Sequence, residues 1–134
     1  MSALTAPRDT KQALGDLVSL PVSSGAVVYA GGLAMVVSGG YAVPAIASVS
    51  SGSSSVAAGQ VVGRAEHVAS GGQMVQIRRG DFLYDNDQTH PLSASDIGKD
   101  CYVVDDHTVA AEGVTVAGVF LGLADSQAVV RINP

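Results

Sequence analysis

The chain has no tryptophan, only one cysteine and few charged residues, and each shortage excludes something. A single cysteine, Cys101, cannot close an intramolecular disulfide. Its neighbours Asp100 and Tyr102 offer nothing that would lower a thiol pKa, so Cys101 is expected as a small buried core residue. Charged residues make up 14% of the chain, against about a quarter in ordinary globular domains. Surface polarity must then come from Ser, Thr, Gln, Gly and backbone, unless part of the surface lies against other subunits. No apolar run is long enough to cross a membrane as a helix; the stretch from Ala26 to Val37 is interrupted by Gly31 and Gly32. The first residues lack a charged-then-apolar leader pattern, and a soluble protein of a reducing compartment is expected. Bases are scarce too, 7 against 12 acids, for a net charge of -5. That balance argues against nucleic-acid binding, which needs a basic footprint for the phosphates.

Reaction motifs are missing as well. The sequence has no P-loop, no dinucleotide glycine fingerprint, no G-x-S-x-G elbow and no CxxC pair. The serines and glycines of GSSSVAAG do not fall at the elbow spacing. His67, His90 and His107 never sit at HxH or HxxxH spacing, so zinc would have only distant ligands to use. No enzyme, cofactor or metal site is expected.

What remains is a chain of 134 residues, enough for one domain with a real core. Its 16 glycines and few aromatics suit short strands and tight turns better than a helix bundle. Acidic residues are concentrated. Asp81, Asp85, Asp87, Asp96, Asp100, Asp105, Asp106 and Glu112 share their window with one base, Lys99. The window therefore carries -7 and the rest of the chain +2. Such asymmetry can orient a domain on a charged partner.

Residues 1–21 differ from the rest. Arg8, Asp9, Lys11 and Asp16 lie among them with no strand alternation, and Pro7 and Pro21 bound the only apolar cluster. Leu14, Leu17 and Val18 make at most one helical turn, so the segment is expected to be an arm ordered by a partner. From Val22 onward the pattern is β. AVVYA is a strand. LAMVV and YAVPAIASV flank a Ser38-Gly39-Gly40 hairpin turn, and Pro44 marks an edge strand. Residues 50–59 read as a polar low-complexity loop, and QVVGRAEHV as another strand. QMVQIRRGDFLY alternates, with Val75 and Ile77 on one face and Gln76 and Arg78 on the other, and with a turn or bulge at Gly80-Asp81. CYVVDD and HTVAAEG follow, then a closing hairpin through Ala124-Asp125-Ser126 that turns Val130 and Ile132 inward and Val129 and Arg131 outward. The expected architecture is all-β: a small barrel, β-tulip or sandwich of about eight short strands with an extended N-terminal arm.

The acidic stretch from Asp85 to His107 is the one place that resembles a site. Asp85, Asp87 and Asp96 stand at the first, third and twelfth places of a calcium loop. The sixth place, however, is His90 rather than glycine, and the twelfth is Asp rather than Glu. An adventitious loop is the expected reading. Ser93 and Asp96 have the S-x-x-D form of a capping box, with Gly98 ending the turn. Asp105 and Asp106 follow a strand where a turn is needed, and if extended they would point to opposite faces and could not act as a pair.

Four segments together (GAVVYAGGLAMVVSGGYAVPA, VVGRAEHV, GDFLYDND, and SASDIGKDCYVVDDHTVA) lead to a terminal VAGVFLGLADSQAVVRI. Over residues 22–133 this order is similar to the capsid decoration, or cement, proteins of tailed bacteriophages. The resemblance lies in texture and in the D-I-G-K-x-x-Y-V-x-D-D segment. It implies a β-barrel or β-tulip domain (residues 22–134) with an N-terminal arm (residues 1–21). It also implies a virion component on the outer capsid surface, made in the bacterial cytoplasm. Its partners would be the major capsid protein and further copies of itself, a homotrimer before a homodimer, with no nucleic acid and no membrane. The arm would make the capsid contact through Leu4, Pro7, Arg8, Lys11, Leu14 and Leu17. The alternatives are another virion component, such as a tail-tube or head-completion protein, or a small cation- or sugar-binding β-domain.

Overall fold

A computed structural model describes residue 3, residues 5–7 and residues 16–134. Among the described residues there is no α-helix, and the chain is all-β, as the composition predicts. In chain order the strands are β1 Leu17–Pro21, β2 Val27–Val28, β3 Leu33–Val37, β4 Tyr41–Pro44, β5 Val49–Ser51, β6 Ser54–Val56, β7 Gln60–Ala65, β8 Ala69–Ser70, β9 Met74–Arg78, β10 Gly80–Asn86, β11 Asp100–Val103, β12 Thr108–Ala110, β13 Val116–Ala124 and β14 Gln127–Ile132. A 3-10 turn, Ala94–Asp96, precedes β11.

The first half is a sheet in the order β1-β9-β7-β3-β4. β9 shows why: Val75 and Ile77 are fully buried while Met74 and Gln76 are exposed, so one face of the strand is driven onto a core. β4 is an edge strand carrying Pro44, which has no N–H to give a further neighbour. The turn before it uses Gly39 and Gly40 at φ +88° and +84°, a conformation that glycine enters without a Cβ clash. An isolated parallel bridge between Val22 and Ala42 draws the segment after β1 towards β4. The sheet thereby curls around Val22, Val28, Ala34, Ala42, Ala65, Ala69, Val75 and Ile77.

The second half is a closed barrel, β10-β12-β11-β13-β14. β10 runs antiparallel to β14 from Gly80↔Ile132 to Asp85↔Gln127. On its other side it meets β12 in parallel, through Asp85↔Thr108 and Asn86↔Val109. That short parallel seam completes the ring, and closure leaves no open sheet edge to pair with another chain. Inside lie Phe82, Tyr84, Cys101, Val103, Val109, Phe120, Val130 and Ile132. Leu33, Met35 and Val61 of the first sheet pack into the same core, whereas Ala34 faces the other one. β3 is therefore buried on both faces, and β3 and β7 form a wall shared by the two halves. Tyr84 adds a tie, its hydroxyl donating to the Gly31 carbonyl at 3.1 Å.

Several expectations change in detail. The strands outnumber eight because turns cut the apolar runs: AVVYA contributes only Val27–Val28, between bends at Gly25 and Gly31 (φ +82° and +87°). The polar stretch expected as a loop forms the β5–β6 hairpin, turning at Gly52 with φ +65°. Where a turn or bulge is expected at Gly80-Asp81, the interruption is one residue long: Arg79 alone separates β9 from β10, and Gly80 opens β10 at φ +147°. The end of the expected arm is strand β1. Leu17 and Val18 pair with Arg78 and Ile77 rather than forming a helical turn, because Val18 and Leu20 have an apolar sheet face to cover. Of the residues assigned to the arm's capsid contact, Leu4, Arg8, Lys11 and Leu14 lie outside the described residues. Pro7 is exposed and Leu17 is partly so.

Candidate functional site

The acidic stretch folds into the rim of the barrel at its parallel seam. Asp85 sits near the end of β10 because Phe82 and Tyr84 are drawn inward, which turns Asp81, Leu83 and Asp85 outward. β11 ends at Val103, and the chain bends through residues 104–107 before β12 begins. The alternation expected to separate Asp105 from Asp106 therefore does not apply. Ligand-type atoms of Asp105, Asp106 and His107 lie within 4.8 Å of one another. The bend is fixed from both sides. Asp105 Oδ1 accepts the His107 N–H at 2.9 Å, and the Asp106 carbonyl accepts the Leu33 N–H at 2.7 Å.

His107 is the centre of this rim. Its Nδ1–H donates to Asp85 Oδ2 at 3.1 Å, and Thr108 Oγ1 lies 3.1 Å from the same nitrogen. Nε2 stands 3.5 Å from Asp105 Oδ1. Asp85 also accepts from Gln127 Nε2 at 3.3 Å. The hydrogen bond to Asp85 holds the His107 pKa above its ordinary value. Partial desolvation opposes that shift, and the charges of Asp105 and Asp106 reinforce it. The arrangement can hold a proton on the imidazole among three carboxylates, and it joins β10, β12 and β14 at one point.

Two of the other acids are engaged locally. Asp87 Oδ2 accepts the His90 N–H at 2.9 Å, and Asp96 Oδ2 accepts the Ser93 N–H at 2.9 Å. Of the calcium-loop positions, Asp87 is thus used in a turn and Asp96 in a cap, while Asp85 is held by His107. Ser93, Asp96 and Gly98 behave as their spacing predicts, with Gly98 at φ +88° one residue beyond the 3-10 turn, after Ile97. Asp81 makes a two-bond ion pair with Arg131 (2.9 and 3.2 Å), which keeps the carboxyl below its usual range. Part of the acidic window is therefore balanced from within the chain. Beside it, Asp87, His90 and Glu112 line one side of an open groove of about 470 Å³ that reaches Ala47, Val104 and Val114.

The remaining histidine is structural. His67 Nε2 accepts the Gln76 N–H at 3.2 Å and Nδ1 faces the Val68 carbonyl at 3.1 Å. The bond from His107 to Asp85 escapes a reading of the sequence, since 22 positions separate the two and only the parallel register Asp85↔Thr108 brings them together. The same holds for the network in which Arg78 meets both Asp16 and Glu66 while Arg64 binds Glu66 and lies over the Phe82 ring at 4.5 Å.

These features define a class: a small all-β protein built on a closed five-stranded barrel and a curled five-stranded sheet, with an ion-paired rim at the barrel seam. No family model, curated protein or solved structure matches the chain.

Proposed function

We propose that the protein is a capsid decoration protein: an oligomer that binds the major capsid protein on the outside of a phage head and stabilises the expanded shell. The observation that carries the reading is the amount of apolar side chain left at the surface of a chain so poor in charge. Tyr29 is 61% exposed, Val68 58%, Met74 and Ile97 54% and Leu123 52%, distributed over both halves. Tyr29 and Met74 are also of the residue types enriched in contacts between subunits. The resemblance read in the texture of residues 22–133 and in the D-I-G-K-x-x-Y-V-x-D-D segment points the same way. Strand β1 at the edge of the first sheet continues directly from the N-terminal segment, which favours that segment as the capsid-binding arm. Several copies acting together would turn weak contacts into firm attachment.

The test is cosedimentation with expanded heads. Full-length protein should pellet with heads at a fixed copy number. A variant lacking residues 2–15, which keeps β1, should stay folded and oligomeric but remain in the supernatant. Normal decoration by that variant removes the arm from the interface, and failure of the full-length protein to bind heads overturns the reading. Assembly into rings in the absence of heads would favour the tail-tube or head-completion alternative. Calcium-dependent thermal stabilisation would favour the cation-binding one.

A further inference from the structure

The seam that closes the barrel is a two-pair ladder, as short as the one between β11 and β12. β10 and β12 meet in register only at Asp85↔Thr108 and Asn86↔Val109, extended by backbone bonds from the Asp85 N–H to the His107 carbonyl and from the Asp87 N–H to the Val109 carbonyl, both 2.9 Å. His107 holds Asp85 twice, through its carbonyl and through its ring. The same bend reaches the first sheet through the bond from Leu33 to Asp106.

We propose that His107 makes this seam sensitive to pH: the protonated ring ties β10 to β12, and loss of its charge loosens the barrel closure and the adjoining bend. The groups around the ring are Asp85 from β10, Asp105 and Asp106 from the bend, Thr108 from β12 and the neutral Gln127 from β14, which reaches it only through Asp85. With the ring charged, one positive group stands among three carboxylates. With the ring neutral, the carboxylates face one another uncompensated across a two-pair ladder. Because the folded state raises the ring's pKa, the stabilisation is fully present below the ordinary histidine value of 6.5 and is lost as pH climbs through the higher folded value. The ring is solvent-facing, so the loss is local to the seam rather than a global unfolding.

Amide hydrogen exchange on the full chain tests this, expressed as protection factors so that the base dependence of exchange cancels. The Asp85 and Asp87 amides report the seam, and Val130, deep in the β10–β14 ladder, is the reference. Between about pH 6 and about pH 8, seam protection relative to Val130 should fall about threefold or more, and in His107→Gln the ratio should be flat. A flat ratio in the native chain overturns the proposal, as does a fall that persists in His107→Gln. Should His107→Gln not fold, Asp85→Asn serves instead: the ring's NMR titration midpoint should drop and the seam's pH dependence shrink. An unchanged midpoint overturns the proposal equally.

Discussion

The Thr115 hydroxyl donates to the Ala47 carbonyl at 2.7 Å and accepts the Ala58 N–H at 3.0 Å. Ala47 and Ala58 lie just outside the two ends of the β5–β6 hairpin, so one fully buried side chain clamps the base of that excursion to the barrel. Both strands of the hairpin are short, and β6 is wholly exposed. Its position therefore depends on this clamp more than on a core of its own.

Thr115→Val keeps the shape and removes the hydroxyl, leaving a buried carbonyl and amide without their partner. The expected loss is about 1–3 kcal/mol, read from denaturant midpoints. Thr115→Ser, which retains the oxygen, should lose less. A larger loss in Thr115→Ser than in Thr115→Val would show that the methyl group, not the clamp, carries the effect.

A second stability test concerns close backbone approach. A Cβ at Gly118 would stand 2.4 Å from the Arg131 carbonyl oxygen, so Gly118→Ala must push β13 away from β14. Gly25 offers a comparison: it has φ +82° with open space around the Cβ position, so Gly25→Ala meets only the left-handed backbone penalty, about 1–2 kcal/mol. Urea unfolding should show the larger loss at Gly118, about 2–4 kcal/mol.

How much of this was legible in the sequence follows from the range of each interaction. β9 and β14 could be read because each buries one face, leaving strict alternation at Val75 and Ile77 and at Val130 and Ile132. The cap at Ser93 and Asp96 could be read because its partners are three residues apart. β6 could not, because a strand with no buried residue has no alternation to show. β1 was hidden by a weak pattern ending in Pro21. The rim was hidden because it is a product of register: Asp85 meets His107, and Asp81 meets Arg131, only after distant strands have paired.

Cys101 gives a kinetic prediction. It is fully buried, and desolvation pushes its thiol up to about 12; Sγ makes one weak contact, donating to the Gly118 carbonyl at 3.5 Å. Almost no thiolate is present at neutral pH. A thiol reagent should label native protein only as fast as the barrel opens, and the rate should rise with urea in step with unfolding. Rapid labelling in buffer alone would contradict the buried placement.

The β13–β14 hairpin turns on two non-glycine residues in the left-handed region, Asp125 at φ 51° and Ser126 at φ 66°. Two such residues in succession make a type I′ turn, whose twist matches the flanking strands and whose preferred sequence is Asn-Gly. Aspartate tolerates the first position through its short polar side chain, but serine at the second accepts strain that glycine would not. The double substitution Asp125→Asn, Ser126→Gly should therefore stabilise the protein by about 1 kcal/mol, raising the thermal midpoint. Glycine adds freedom to the unfolded chain, which offsets part of the gain. Ser126→Pro, whose ring forbids positive φ, should do the opposite and uncouple the hairpin. A thermal midpoint unmoved by Ser126→Pro would mean that the barrel does not depend on this turn for the pairing of β13 with β14.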